Sequence, residues 1–234
     1  MTLARALVPL WLVCLACGAS PPPAAGGDAK SSPPPAKAEA KTPEGKAGAA
    51  NPHAGGMVST AVKPKGPPRE ITPSGERRAE KAAELSFEVP KEWETQPVTS
   101  PMRVAQFVVP GPGGDAEMVV FRFAGGAGGI DANIARWKGQ FVAPEGKTID
   151  EITQTSKFEA GKLSVTLVDI SGHYKAAERP GSTTMIDEDD YRMLAAIVEG
   201  AGDPFFFKLL GPGKTVTLWA KPFEDGLRAA SAGA

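Results

Sequence analysis

The 234-residue chain has only two cysteines, two histidines and two tyrosines, and no apolar run near the roughly 20 residues that a membrane-crossing helix needs. Each shortage closes off some chemistry. Both cysteines, Cys14 and Cys17, stand near the amino terminus, so a domain further along folds without an intrachain disulfide and depends on its hydrophobic core. A zinc site wants several converging Cys or His ligands, and beyond residue 17 the chain has only His53 and His173. No G-x-S-x-G elbow presents a serine, which leaves a Ser-His-acid triad only His173 to draw on. Catalytic, cofactor and metal sites are therefore not expected.

What is present begins with MTLARALVPLWLVCLACG. Arg5 precedes an apolar stretch from Ala6 to Ala16, the length of a signal-peptide h-region. Small residues then flank a cysteine in Leu15-Ala16-Cys17-Gly18. This segment resembles the lipobox of bacterial lipoprotein signal peptides. The resemblance implies cleavage after residue 16, a diacylglyceryl group on the Cys17 thiol and a fatty acyl chain on the new amine. It departs from the family pattern at Cys14, where Leu is usual. An ordinary cleaved secretory signal and an uncleaved anchor are the alternatives. Gly18 after the cysteine accompanies outer-membrane sorting in some bacterial lipoproteins, which implies an anchor facing the periplasm or the cell surface. Two acyl chains anchor stably where one is marginal.

Residues 17–84 read as a disordered tether. Twelve of the chain's 23 prolines lie between Pro21 and Pro73, and the only large apolar side chains from Gly18 to Gly75 are Met57, Val58, Val62 and Ile71. So little apolar surface does not offset the entropy of ordering the backbone. A coil of about 67 residues spans roughly 45–50 Å, and proline stiffens it further. The stretch 76–84, ERRAEKAAE, is rich in helix formers and predicts a short helical lead-in. Charge divides at the same boundary. Residues 18–84 carry ten Lys or Arg against seven acids, a net +3, while residues 85–234 carry 15 against 20, a net −5. A mildly acidic domain is not a nucleic-acid binder, which needs clustered cations against phosphate.

Residues 85–230 suffice for one domain, with 231–234 as a tail. Leu85 to Trp93 alternates apolar and polar up to Pro90, which predicts a strand near a sheet edge. Met102–Val109 and Ala116–Phe123 predict a hairpin, closed by the Gly-Pro-rich residues 110–114. Ile130, Ile134, Trp137 and Phe141 recur at helical spacing, with Asp131 placed to cap the helix or to act as a first-turn acid. Strands follow at 151–159, 162–174, 191–199 and 204–210, with the polar run 175–190 as a loop. Residues 214–230 predict a helix bearing Val216, Ala220, Phe223 and Leu227, either kinked at Pro222 or restarted there. The order is that of an α+β fold with a mainly antiparallel sheet flanked by helices.

Three phrases, Phe87-Glu-Val-Pro-Lys-Glu-Trp93, Asn133-Ile-Ala-Arg-Trp137 and Pro204-Phe-Phe-Phe-Lys-Leu-Leu-Gly-Pro212, resemble the PsbP-like α/β/α sandwich. That resemblance implies the fold and supplies no active site to carry over. Other candidates read as structural. Gly125–Gly129 matches neither G-x-G-x-x-G nor a P-loop. Asp187–Asp190 lacks the Gly and Glu of an EF-hand, with Arg192 and Val198 in those places. Arg136 beside Trp137 is a solvated residue next to a core one, and Phe205–Phe207 is a buried strand. The expectation is a non-enzymatic, lipid-anchored envelope protein whose domain binds another protein or supports an assembly. Capture of a small apolar ligand is the second reading, favoured by a pocket of Phe and Trp. An enzyme is the third, favoured by acids converging on His173.

Overall fold

The computed structural model describes residues 66–98, 100–178 and 181–233. The expected signal peptide, Cys14, the expected lipidation site Cys17, His53 and the part of the expected tether up to residue 65 lie outside them. The strands are β1 (Arg77–Ala82), β2 (Leu85–Pro90), β3 (Glu94–Thr95), β4 (Arg103–Val109), β5 (Ala116–Arg122), β6 (Phe141–Val142), β7 (Thr153–Ala160), β8 (Leu163–Ala177), β9 (Met185–Glu199), β10 (Phe205–Pro212) and β11 (Ser231–Ala232). The helices are α1 (Ile130–Lys138) and α2 (Gly213–Arg228). One sheet runs β3-β4-β5-β10-β9-β8-β6, with β7 also on β8, and a smaller sheet runs β1-β2-β11. Every pairing between named strands is antiparallel, as the α+β class requires.

The large sheet buries both faces, and β10 shows why its sequence is a near-continuous apolar run. Phe205, Phe207 and Leu209 face α2 and the small sheet, while Phe206 and Leu210 face the α1 side. Phe207 meets Phe87 edge-on at 5.0 Å, and on the opposite face Phe206 meets Phe123 at 5.7 Å. Each such side chain, fully buried, stabilises the fold by about 1.5–3 kcal/mol relative to its exposed state. β5 alternates in the same way, with Met118 and Val120 toward α2 and Val119 and Phe121 toward α1.

In α2, Val216, Trp219, Phe223 and Leu227 follow the helical stripe into the core, and the Trp219 indole N–H donates to the Pro110 carbonyl at 2.6 Å. Trp219, absent from the predicted face, stands edge-on to Trp93 at 6.0 Å. The helix is one 16-residue element, continuing through Pro222 and forgoing one backbone bond there. At its far end Gly226 lies so close to β2 that an added Cβ would sit 2.2 Å from the Glu88 carbonyl oxygen.

Several expectations are corrected. Residues 77–82 form β1 rather than a helix, so the ordered domain begins before residue 85. The deciding contacts are non-local. Arg78 donates to the Pro90 and Lys91 carbonyls and to Thr95 Oγ1, and it stands over the Phe107 ring. β2 is the centre of its sheet rather than an edge, because β11, formed within the predicted tail, pairs along its other side. Phe141 leaves α1 and joins β6, where it meets Tyr174 at 5.2 Å. Gly129 caps α1 and Asp131 is a first-turn acid. The run 175–190 is mostly strand, as β8 and β9 extend into a long hairpin paired out to Ala177 and Met185.

Candidate functional site

The β8–β9 ladder is interrupted once. Gly172 pairs with Tyr191 and Tyr174 with Glu188, so His173 alone opposes Asp189 and Asp190. This is a β-bulge, and Asp190 takes a left-handed φ of 54° to accommodate it. Gly213, the first residue of α2, packs on the bulge so tightly that a Cβ would lie 2.7 Å from the Asp190 carbonyl oxygen. Between bulge and helix lies an open depression of about 830 Å³ lined by Ser171, Asp190, Tyr191, Arg192, Lys214 and Thr217.

Charge in the depression is set by a few contacts. Arg192 forms a two-pronged pair with Asp169, Nε to Oδ1 at 2.9 Å and Nη2 to Oδ2 at 2.6 Å, and its remaining Nη1 donates to Thr217 Oγ1 at 2.9 Å. The Asp169 hydrogen bonds raise the guanidinium pKa above its ordinary value. Burial pushes the Tyr191 hydroxyl up to about 12, so it stays protonated and a donor. α2 has no acid in its first turn and no side-chain cap, and its exposed Lys214 borders the depression.

Alternation along β8 puts Asp169, Ser171, His173 and Lys175 on one face. Acids do converge on His173: Nδ1 meets Asp189 at 2.6 Å and Nε2 meets Asp187 at 2.7 Å, with Lys175 on the other Asp187 oxygen at 2.8 Å. The Asp189 hydrogen bond raises the imidazole pKa most, and Lys175 foremost holds Asp187 below its usual value. The acids whose convergence would favour an enzyme are thus present, one on each ring nitrogen.

A second polar group lies on the α1 side of the sheet. Arg103 pairs with Glu117 at 3.0 Å, both nearly enclosed, and Gln106 donates to the same carboxylate oxygen at 2.9 Å. Lys208, partly exposed along its length, donates to Gln140 Oε1 at 2.8 Å above the Tyr174 ring, and desolvation of its ammonium lowers the pKa to about 7.

The remaining sequence candidates are accounted for locally. The Gly125–Gly129 loop is held by the Asn133 amide, which donates to the carbonyls of Ala127, Gly128 and Gly129, and by Asp203 accepting from the Gly125 N–H. Trp137 is buried, and Arg136 donates to Asn133 Oδ1 at 2.6 Å. Asp187–Asp190 belong to β9 and its bulge, and no group of three metal-ligating side chains assembles among the described residues. Phe87, Trp93, Phe207 and Phe223 surround a space of only about 10 Å³, too small for an apolar ligand. Arg192, Lys214, Ser171 and Thr217 were not singled out from sequence. The one signal available was a helix start, Gly213-Lys214-Thr215, with a cation where an acid is usual.

No family model matches the chain, and no curated protein matches it. Among solved structures it is similar to cyanobacterial PsbP (CyanoP) from Synechocystis sp. PCC 6803, determined in solution. The two share 11% identity over 67% of this chain and 91% of that one, with a TM-score of 0.40.

Proposed function

We propose that the chain is a lipid-anchored protein of the bacterial cell envelope, held by acyl chains on Cys17 at the outer membrane, and that its domain is a non-enzymatic module that binds another protein. The observation that carries the binding reading is the open depression between the β8–β9 bulge and the start of α2. An open depression suits a segment of another polypeptide better than an enclosed small molecule. Ser171 and Thr217 offer it hydroxyls and Lys214 an exposed cation. The close packing of the phenylalanines argues against the apolar-ligand reading. The anchor rests on the opening eighteen residues and their likeness to a lipobox.

Two experiments test this. Mass spectrometry of the mature amino terminus should find a diacylated or triacylated Cys17, and Cys17→Ser should release the protein from membranes. An unmodified terminus, or a Cys17→Ser variant still in the membrane, refutes the anchor. A photo-crosslinking residue at Thr217 or Lys214 should capture one stoichiometric partner in cells, while the same residue at exposed Glu145 captures none. Equal labelling at all three positions refutes the binding site.

A further inference from the structure

A long sheet edge is usually blunted, because its unpaired N–H and C=O groups will accept another strand. In the large sheet β3 and β6 are two residues each, but β7 runs eight residues, TQTSKFEA, in unbroken register with β8. Its other side has no strand partner among the described residues. It contains no proline and no bulge, and its Gln154, Thr155, Ser156, Lys157 and Glu159 are exposed.

The backbone parity of this edge follows from its hairpin. β7 and β8 are joined by the two-residue turn Gly161-Lys162, so Ala160 and Leu163 close the ladder as a hydrogen-bonded pair. Alternation then directs the backbone groups of residues 160, 158, 156 and 154 toward β8 and those of 159, 157, 155 and 153 outward. The Thr153 N–H agrees, donating to the Asp150 carbonyl at 3.2 Å rather than to β8. An antiparallel strand of the same sequence must pair odd residues with odd. Setting Lys157 opposite Lys157 is repulsive. Setting Ser156 opposite Ser156 leaves Lys157 facing Thr155 and diagonal to its own copy. Setting Phe158 opposite Phe158 places Lys157 across from Glu159 twice, once on each side of the two-fold axis. The edge is self-complementary in charge in that register alone.

We propose that β7 is a homotypic docking edge, pairing antiparallel with β7 of a second copy of this chain so that Phe158 faces Phe158 and each Lys157 faces a Glu159. Two hydrogen-bonded residue pairs and two ion pairs join the large sheets into one continuous sheet. So small a contact gives weak, concentration-dependent association rather than an obligate dimer. Phe158 already lies under the Arg228 guanidinium, 4.1 Å from its ring centre. The pairing is independent of the depression at α2.

Sedimentation velocity on the full chain across a wide concentration range tests this. The unmodified chain should show a monomer–dimer equilibrium. Lys157→Glu and Glu159→Lys, both at exposed positions, should each weaken it on the order of tenfold, and the double variant should restore it. In a chain with Cys14 and Cys17 replaced by Ser, mild oxidation of Phe158→Cys should give a disulfide dimer and that of Ser156→Cys should not, because only residue 158 faces itself closely enough. A chain that sediments as a monomer throughout, a double variant as weak as the singles, or crosslinking at 156 instead of 158 overturns the proposal. Should Phe158→Cys unfold, the charge variants decide it alone.

Discussion

Thr215 is a single hydroxyl that ties the β4–β5 turn to the start of α2. Its Oγ1 accepts from the Gly113 N–H at 3.0 Å and donates to the Gly114 carbonyl at 2.6 Å, and the side chain is completely buried. Thr215→Val keeps the branched shape and nearly the same helix propensity while deleting both bonds. The Gly114 carbonyl, in a buried setting, then loses its partner at a cost of about 1–3 kcal/mol, and the half-buried Gly113 N–H adds less because water reaches it. The expected loss is about 2–3 kcal/mol. For a domain of this size that lowers Tm by roughly 4–12 °C. Thr215→Ser keeps the hydroxyl and loses one methyl, for about 1 kcal/mol. Urea unfolding followed by tryptophan fluorescence measures both, since Trp93 and Trp219 lie in the adjoining core. If Val is as stable as Ser or more so, the clamp contributes nothing and the reasoning fails.

Gly226→Ala gains helix propensity of about 1 kcal/mol but drives a methyl into the Glu88 carbonyl, so a net loss of about 1–3 kcal/mol is expected and a stabilised variant would refute the close approach. Glu117→Leu takes the carboxylate from the enclosed Arg103, which keeps its bond to Gln106 Oε1 at 2.7 Å, and should cost about 3–5 kcal/mol in the same urea assay, whereas a neutral outcome would show that the ion pair adds no stability. His173 should titrate above its ordinary 6.5 in an NMR pH series, and Asp189→Asn should lower its pKa more than Asp187→Asn does. Because the folded pKa is raised, the His173 contribution to stability is complete below about pH 6.5 and disappears as pH rises through the folded value. A His173 midpoint below 6.5 would contradict the two contacts.

Much of the fold could be read from the chain because its signals are local. Alternation in β5, the apolar run of β10 and the helical stripe of α2 each state a burial pattern within a few residues, and the glycine-proline turn at 110–114 states the hairpin. The readings that failed required partners distant in sequence. ERRAEKAAE has helical propensity, but Arg78 finds carbonyls twelve and thirteen residues away, and that pairing prevails. β11 exists only because the carboxy terminus returns to β2, and the polar run 175–190 becomes strand because each half supplies the other's ladder.

The candidate site was less legible still. By itself the sequence determined the anchor-like start, the charge boundary, the cysteine-free domain and the antiparallel α+β class. Tertiary structure alone decided that His173 is held by two carboxylates, that Arg192 and Lys214 border one depression, and that β7 lies at an edge. The reason is physical. Propensity and periodicity depend on neighbours along the chain, whereas a bulge, a salt-bridge partner and an unpaired edge depend on which strands meet, and no local pattern encodes that.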